Sequence, residues 1–175
     1  GRVVVENLPQ MGKTRLPVIR KAIRHDLLFP AIKGADVQRW KVYPRAYVLM
    51  VQDVETRMAY DEKWLKHRYP GVYSYFKQFE KFLRRRGSRA VQRVMERSAF
   101  YAMFAVDTYT FAESKVVWRR MDNTLRAAVI GRVKDAVIGS KVLIPIDTVT
   151  LLDTETEEEA HFLCSLMNSS VVRVT

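Results

Sequence analysis

Cysteine is almost absent from this chain: Cys164 stands alone. A single thiol excludes an intramolecular disulfide framework and suits a reducing cytoplasm. Histidine is nearly as scarce. His25, His67 and His161 are widely separated, and none has a cysteine partner at metal-ligand spacing, so no metal site is expected. Seven glycines and six prolines give no long linker and no low-complexity tract, and no internal repeat is evident. The longest clearly apolar stretch, Ala99 to Val106, is far too short to span a bilayer, and no signal peptide is visible. Asn168-Ser169-Ser170 matches the glycosylation triplet, but nothing else suggests secretion.

Catalytic motifs are missing as well. Gly12-Lys13-Thr14 mimics the end of a phosphate-binding loop, yet position 7, where that loop requires glycine, is Asn7. No G-x-G-x-x-G is present to approach a dinucleotide or S-adenosylmethionine. No nucleophile-elbow motif surrounds any serine. His161 adjoins an apolar helical face and reads as structural. Asp61-Glu62 and the acids at 157–159 read as solvated helix faces. No catalytic residue is expected within these 175 positions.

What the chain does have is positive charge. Thirty Lys and Arg against 19 Asp and Glu give +11, with a pI near 9.9. Residues 1–100 hold 22 basic and 9 acidic side chains, whereas 101–175 hold 8 and 10. One end is polarised toward a polyanion. Nucleic acid is the commonest such partner, and an anionic membrane surface would also fit the charge. A hydrophobic content of 48% supports one folded domain over 1–175.

The pattern of apolar residues predicts an α+β fold, a small mixed β-sheet region packed with helices. Val3-Val4-Val5 and Tyr47 to Val51 read as strands, and 16–28 stays ambiguous. After Pro70 the stripe Val72, Tyr75, Phe76, Phe79, Phe82 and Leu83 predicts one helix, ended by Gly87 in a left-handed conformation. Arg84, Arg85 and Arg86 would fill its last turn, opposing the dipole. Lys115 to Trp118, Ala127 to Ile130 and Val142 to Ile146 predict three more strands. A closing helix follows, with Thr154 as a candidate cap and Ala160, Leu163, Cys164 and Met167 on its buried face.

Several longer words recur in order. They are Glu6-Asn7-Leu8-Pro9; the run Asp26-Leu27-Leu28-Phe29-Pro30 through Lys33-Gly34-Ala35-Asp36 to Arg39-Trp40; Tyr69-Pro70 with its aromatic helix; Phe111 to Arg119 around Lys115; and Ile144-Pro145-Ile146 with Glu158 to Ser170. Over roughly residues 6 to 172 this succession resembles the TaqI-like specificity domain of N6-adenine DNA methyltransferases and fused restriction–modification enzymes. Departures are the absence of a more regular basic residue near Ala31 or Ala35, and Gly71 where lysine is common. The catalytic Asn-Pro-Pro-aromatic motif has no match, because Asn7-Leu8-Pro9-Gln10 lacks the second proline and the aromatic. Gly1 follows no initiator methionine and the chain ends inside a helical pattern, so both ends read as cuts in a longer protein.

The resemblance implies a division of labour. A catalytic domain expected upstream would bind S-adenosylmethionine, flip the adenine and methylate it. This chain, without a cofactor of its own, would grip the flanking double-stranded DNA through phosphate contacts and groove contacts. Its partner protein would be that catalytic domain, in the same or another chain. The candidate DNA-binding residues are Lys33, Gly34, Arg39, Trp40, Arg84, Arg85, Arg86, Lys115 and Arg119. Gly34 would allow close backbone approach; Arg39 could instead pair with Asp36, Trp40 could be a packing residue, and Arg84–86 could be a solvated helix end. An RNA-binding accessory domain fits the charge, and a self-sufficient DNA-modifying enzyme, methyltransferase or nuclease, is the enzyme-class alternative.

Overall fold

The computed structural model describes residues 1–12 and 14–173; the phosphate-loop mimic is centred on Lys13, outside the described residues. The chain divides into two compact units, Gly1–Leu27 with Val51–Val106 and Leu28–Met50 with Asp107–Thr175. The crossings fall at Leu27/Leu28, Met50/Val51 and Val106/Asp107, with no Gly- or Ser-rich linker at any of them. That is why composition shows one domain and no boundary.

The first unit opens with strand β1 (Arg2–Glu6), antiparallel to β2 (Arg20–Arg24) in the register Val3↔Ile23 and Glu6↔Arg20. Strand β2 resolves the ambiguous stretch: Ile23 is buried and Arg20 and Ala22 are exposed, the period-two alternation of a half-buried strand. Asn7 closes the intervening loop. Its amide donates to the Pro17 carbonyl (2.9 Å) and accepts from the Ile19 N–H (2.7 Å).

Four short helices complete this unit: α1 (Glu62–Arg68), α2 (Pro70–Gln78), α3 (Glu80–Arg84) and α4 (Arg89–Glu96). Asp61 caps α1 by accepting from the Lys63 and Trp64 N–H groups, so it is a cap and not merely a solvated acid. Pro70 occupies the first turn of α2 as expected. Gly71 is explained by packing, since a Cβ there would lie 2.9 Å from the Ala22 carbonyl of β2.

The single helix expected from Pro70 to Gly87 is corrected. It breaks at Phe79 (φ −104°, ψ 4°), which stays buried with its ring edge-on to Tyr75 at 5.2 Å. Phe82, beyond the break, is exposed. Gly87 does not adopt the left-handed conformation; the Arg85 and Arg86 N–H groups close α3 onto the Phe82 and Leu83 carbonyls instead. Around these helices Val51, Leu65, Val72, Phe100 and Tyr101 are buried, and buried Gln52 accepts from and donates to the Met103 backbone.

The second unit is β-rich, confirming the α+β class. Its strands are β3 (Leu28–Ile32), β4 (Val37–Gln38), β5 (Lys41–Val42), β6 (Ala46–Leu49), β7 (Ser114–Arg119), β8 (Ala127–Ile130), β9 (Arg132–Asp135), β10 (Gly139–Val142), β11 (Ile144–Pro145) and β12 (Val149–Thr154), followed by helix α5 (Glu157–Asn168). Strand β3 pairs antiparallel with β6 and parallel with β11, and β7 lies between β8 and β12, antiparallel to both. Strands β4 and β5 form one hairpin, β9 and β10 another.

Being central, β7 is buried on both faces. Val117 joins Ile32, Val37, Ala128, Ile130 and Leu143, while Val116 joins Ala127, Ala160 and Cys164 beneath α5. Each such valine contributes about 1.5–3 kcal/mol by leaving water. The strand expected over Val142 to Ile146 divides because the chain changes partner at Leu143. Val142 pairs with Arg132 of β9, and Ile144 with Ala31 of β3. The cap of α5 is Thr156, accepting from the Glu159 N–H at 3.1 Å; Thr154 is held in β12 opposite Ser114. Among the described residues no helix is long and apolar enough to cross a membrane.

Candidate nucleic-acid interface

The nine sequence candidates meet different fates. Lys115 is fully buried on β7, and its Nζ donates to the Thr110 (3.1 Å) and Ala112 (2.6 Å) carbonyls. Burial pulls its pKa down to about 8, against the opposing pull of Glu113 and Asp153. An amine so enclosed offers nothing to a ligand, so its role is to tie the 110–112 turn to the sheet. Gly34 is buried too. A Cβ there would stand 2.8 Å from the Thr148 hydroxyl and 2.9 Å from its carbonyl, so its missing side chain serves internal packing and not approach by DNA.

Arg86 is half-buried and points inward, donating to the Leu83 carbonyl (2.9 Å) and the Phe100 carbonyl (2.7 Å); burial lowers its pKa. Arg84 is exposed but paired with Glu80 at 2.7 Å, and Lys77 pairs with the same carboxylate. Those two cations hold the Glu80 carboxyl below its usual range, Lys77 more than Arg84. Of the triplet, only Arg85 is exposed without an ion pair to a described residue. Arg119 is half-buried, bonded to the Val37 carbonyl (2.9 Å) and close to Asp122 (3.5 Å), and so supports β4. Lys33 is half-buried at the head of a short 3-10 turn; its backbone N–H donates to Asp36.

Arg39 and Trp40 form the two-residue tip of the β4–β5 hairpin, between Gln38 and Lys41. Trp40 has φ +72°, in the left-handed region that glycine and asparagine occupy most easily, yet its indole is 49% exposed. The alternative pairing of Arg39 with Asp36 does not form; Asp36 pairs with Arg45 at 3.3 Å. The Arg39 guanidinium lies 5.5 Å from the Trp40 ring centroid and donates to the Asn168 carbonyl at 2.6 Å.

Asn168 is the fixed point beneath this tip, and sequence reasoning missed its role. It is fully buried, which removes the glycosylation triplet from access. Its side chain accepts from the Ala127 N–H (3.1 Å) and donates to the Ala127 carbonyl (2.8 Å). The same carbonyl accepts from the Trp40 N–H at 2.9 Å. The hairpin tip, the start of β8 and the end of α5 are thereby fastened at one residue. Such bonding fixes the backbone of the hairpin tip and the Arg39 guanidinium.

A second exposed group lies in the first unit. Arg89, Arg93 and Arg97 recur every fourth residue along α4 and its C-terminal cap, all exposed and without ion pairs to described residues. The four-residue spacing was a readable signal. His161, by contrast, is a surface residue 3.6 Å from Glu157, not a packed one. Among the described residues no three His, Cys, Asp or Glu side chains are grouped so as to hold a metal ion.

No family model matches the sequence. Over 152 residues, 86% of the chain, it is 28% identical to a type II methyltransferase, M.NspV, from Nostoc sp.. The chain spans 29% of that protein's length. This similarity is consistent with a domain from a methyltransferase.

Proposed function

We propose that the chain is a sequence-reading double-stranded DNA recognition module of an adenine-N6 methyltransferase in a restriction–modification system, of the TaqI-like specificity type. The observation that carries the reading is the Arg39–Trp40 tip: an exposed arginine bonded to a buried asparagine's carbonyl, beside an exposed tryptophan on strained backbone. A left-handed tryptophan costs about 1–2 kcal/mol over glycine, and such cost at an exposed position points to use of the side chain. Arginine matches the paired acceptors of a guanine edge, and an indole offers apolar contact to a thymine methyl or an unstacked base.

The positive charge of the chain suits the phosphate contacts that any such reader needs. On this reading S-adenosylmethionine and the flipped adenine belong to a catalytic domain in the same or a partner chain. The similarity to M.NspV and the ordered words of the sequence support the assignment.

The test is selection from a pool of randomised DNA duplexes by the 175-residue chain. Enrichment of a short motif is expected, and Arg39→Ala with Trp40→Ala should abolish the enrichment while leaving salt-sensitive binding. A wild-type chain that enriches no motif, or that prefers RNA to duplex DNA, overturns the reading.

A further inference from the structure

Residues 81–97 hold seven basic side chains and one acid, the densest positive stretch in the chain. Two of the seven are committed: Arg84 is paired with Glu80 and Arg86 is turned inward. Lys81 is exposed on α3, outside α4. Arg85, Arg89, Arg93 and Arg97 remain, exposed and without ion pairs to described residues. Glu96, the acid, is exposed and likewise forms no ion pair with them.

From these facts we infer that α4 is a phosphate clamp, with Arg89, Arg93 and Arg97 contacting successive phosphates of one duplex DNA strand and Arg85 extending the line. Three features favour this over an ordinary solvated face. A four-residue step advances about 6 Å along a helix and turns only about 40°, so the three guanidinium groups form a stripe and not a ring. Surface cations on helices are commonly balanced by acids three or four residues away; here one acid accompanies the whole helix. The stripe is also braced. The Gln92 amide donates to the Arg86 carbonyl and to the Arg84 carbonyl (3.3 Å), and the inward Arg86 donates to Met95 Sδ (3.1 Å) and the Phe100 carbonyl. Arg86 and Gln92 are therefore positioning residues for the stripe.

The contact carries no sequence information. It supplies affinity and register, leaving selection to other residues. The inference rests on the duplex-DNA reading above, and its test separates the two. Binding of the full chain to a short mixed-sequence DNA duplex is followed by fluorescence anisotropy across a salt series, for the wild type and for a variant combining Arg89→Ala, Arg93→Ala and Arg97→Ala. Each lost phosphate contact lowers the slope of log affinity against log salt by about 0.9, so the expected fall is about 2.7. The variant's deficit should then shrink about 40-fold between roughly 50 and 200 mM salt.

The corresponding triple Arg→Lys variant keeps the charge and should keep the slope, which distinguishes lost contacts from lost folding. The motif enriched from a random pool should be the same for all three proteins. Wild-type binding with an unchanged slope in the alanine variant overturns the clamp and leaves the recognition reading standing. No wild-type binding to duplex DNA, or displacement of the duplex by an RNA competitor at equal concentration, overturns the recognition reading and the clamp with it.

Discussion

The stretches forming the first unit carry 18 basic and 8 acidic side chains, and those forming the second carry 12 and 11. Buried polar groups are distributed the other way. Asp36, Thr110, Lys115 and Asn168 are buried in the second unit, and Gln52 alone among the described residues in the first. The contrast separates two demands on a nucleic-acid reader. Phosphate attraction needs exposed, mobile cations and little internal specification. Presentation of a particular side chain in one geometry needs satisfied buried polar groups, which tolerate few alternative arrangements. On the proposed reading, the exposed cations of the first unit suit the former and the fastened Arg39–Trp40 tip of the second suits the latter.

The strongest challenge to this contrast is Asn168→Ala. It orphans the Ala127 N–H and withdraws one donor from the Ala127 carbonyl, and should cost about 3 kcal/mol. Denaturant unfolding measures the loss. A change within about 0.5 kcal/mol, the range of an ordinary surface substitution, would show that the tip is not fastened there.

Arg86→Ala should cost somewhat less, about 2 kcal/mol, because the vacated site leaves the Leu83 and Phe100 carbonyls without that donor near the surface. Arg85→Ala, one residue earlier, should leave stability nearly unchanged and weaken duplex binding. Were the two substitutions to behave alike in thermal melts, the division of the triplet into strut and exposed cation would collapse.

That division also shows what could be read from residues alone. Strand β8 and the buried face of α5 were legible because each is a continuous apolar pattern that packs on its own face. The break at Phe79 was not, since the apolar spacing runs through it and no glycine or proline marks the interruption. The partner Glu80 was visible four residues before Arg84, whereas the inward turn of Arg86 toward Phe100 leaves no local trace. Lys115 stands among the candidates because the segment Phe111 to Arg119 centres on it, and its apolar neighbours count against that reading. A lysine followed by Val116-Val117-Trp118 lies in a central strand, and there the pleat sends it to the same buried face as Val117.

Lys115 allows a sharper test by pH. Its folded pKa of about 8 lies below the ordinary lysine value of about 10.4, so between these values the unfolded chain binds a proton that the folded chain does not. The burial penalty is fully present below pH about 8 and is relieved as pH rises toward 10.4. Relative to Lys115→Met, the wild type should gain stability across that window, by at most about 1.4 kcal/mol per pH unit. Parallel stability–pH curves for the two proteins would mean that the ammonium is solvated, and would return Lys115 to the set of exposed cations.

The smallest expected change in stability falls at Trp40, and it decides most about function. Trp40→Gly relieves a left-handed backbone worth about 1–2 kcal/mol and gives up an exposed cation–π contact with Arg39 worth about 0.5–1 kcal/mol. The two nearly offset, so the melt should move little and, if anything, upward. The Trp40 N–H bond to Ala127 survives the substitution, so the hairpin keeps its anchor. Selectivity among duplexes should nevertheless fall, with the salt slope unaltered, since no cation is removed. A marked loss of stability would make Trp40 a packing residue. Unchanged selectivity would remove the reason for placing so large a side chain where glycine fits best.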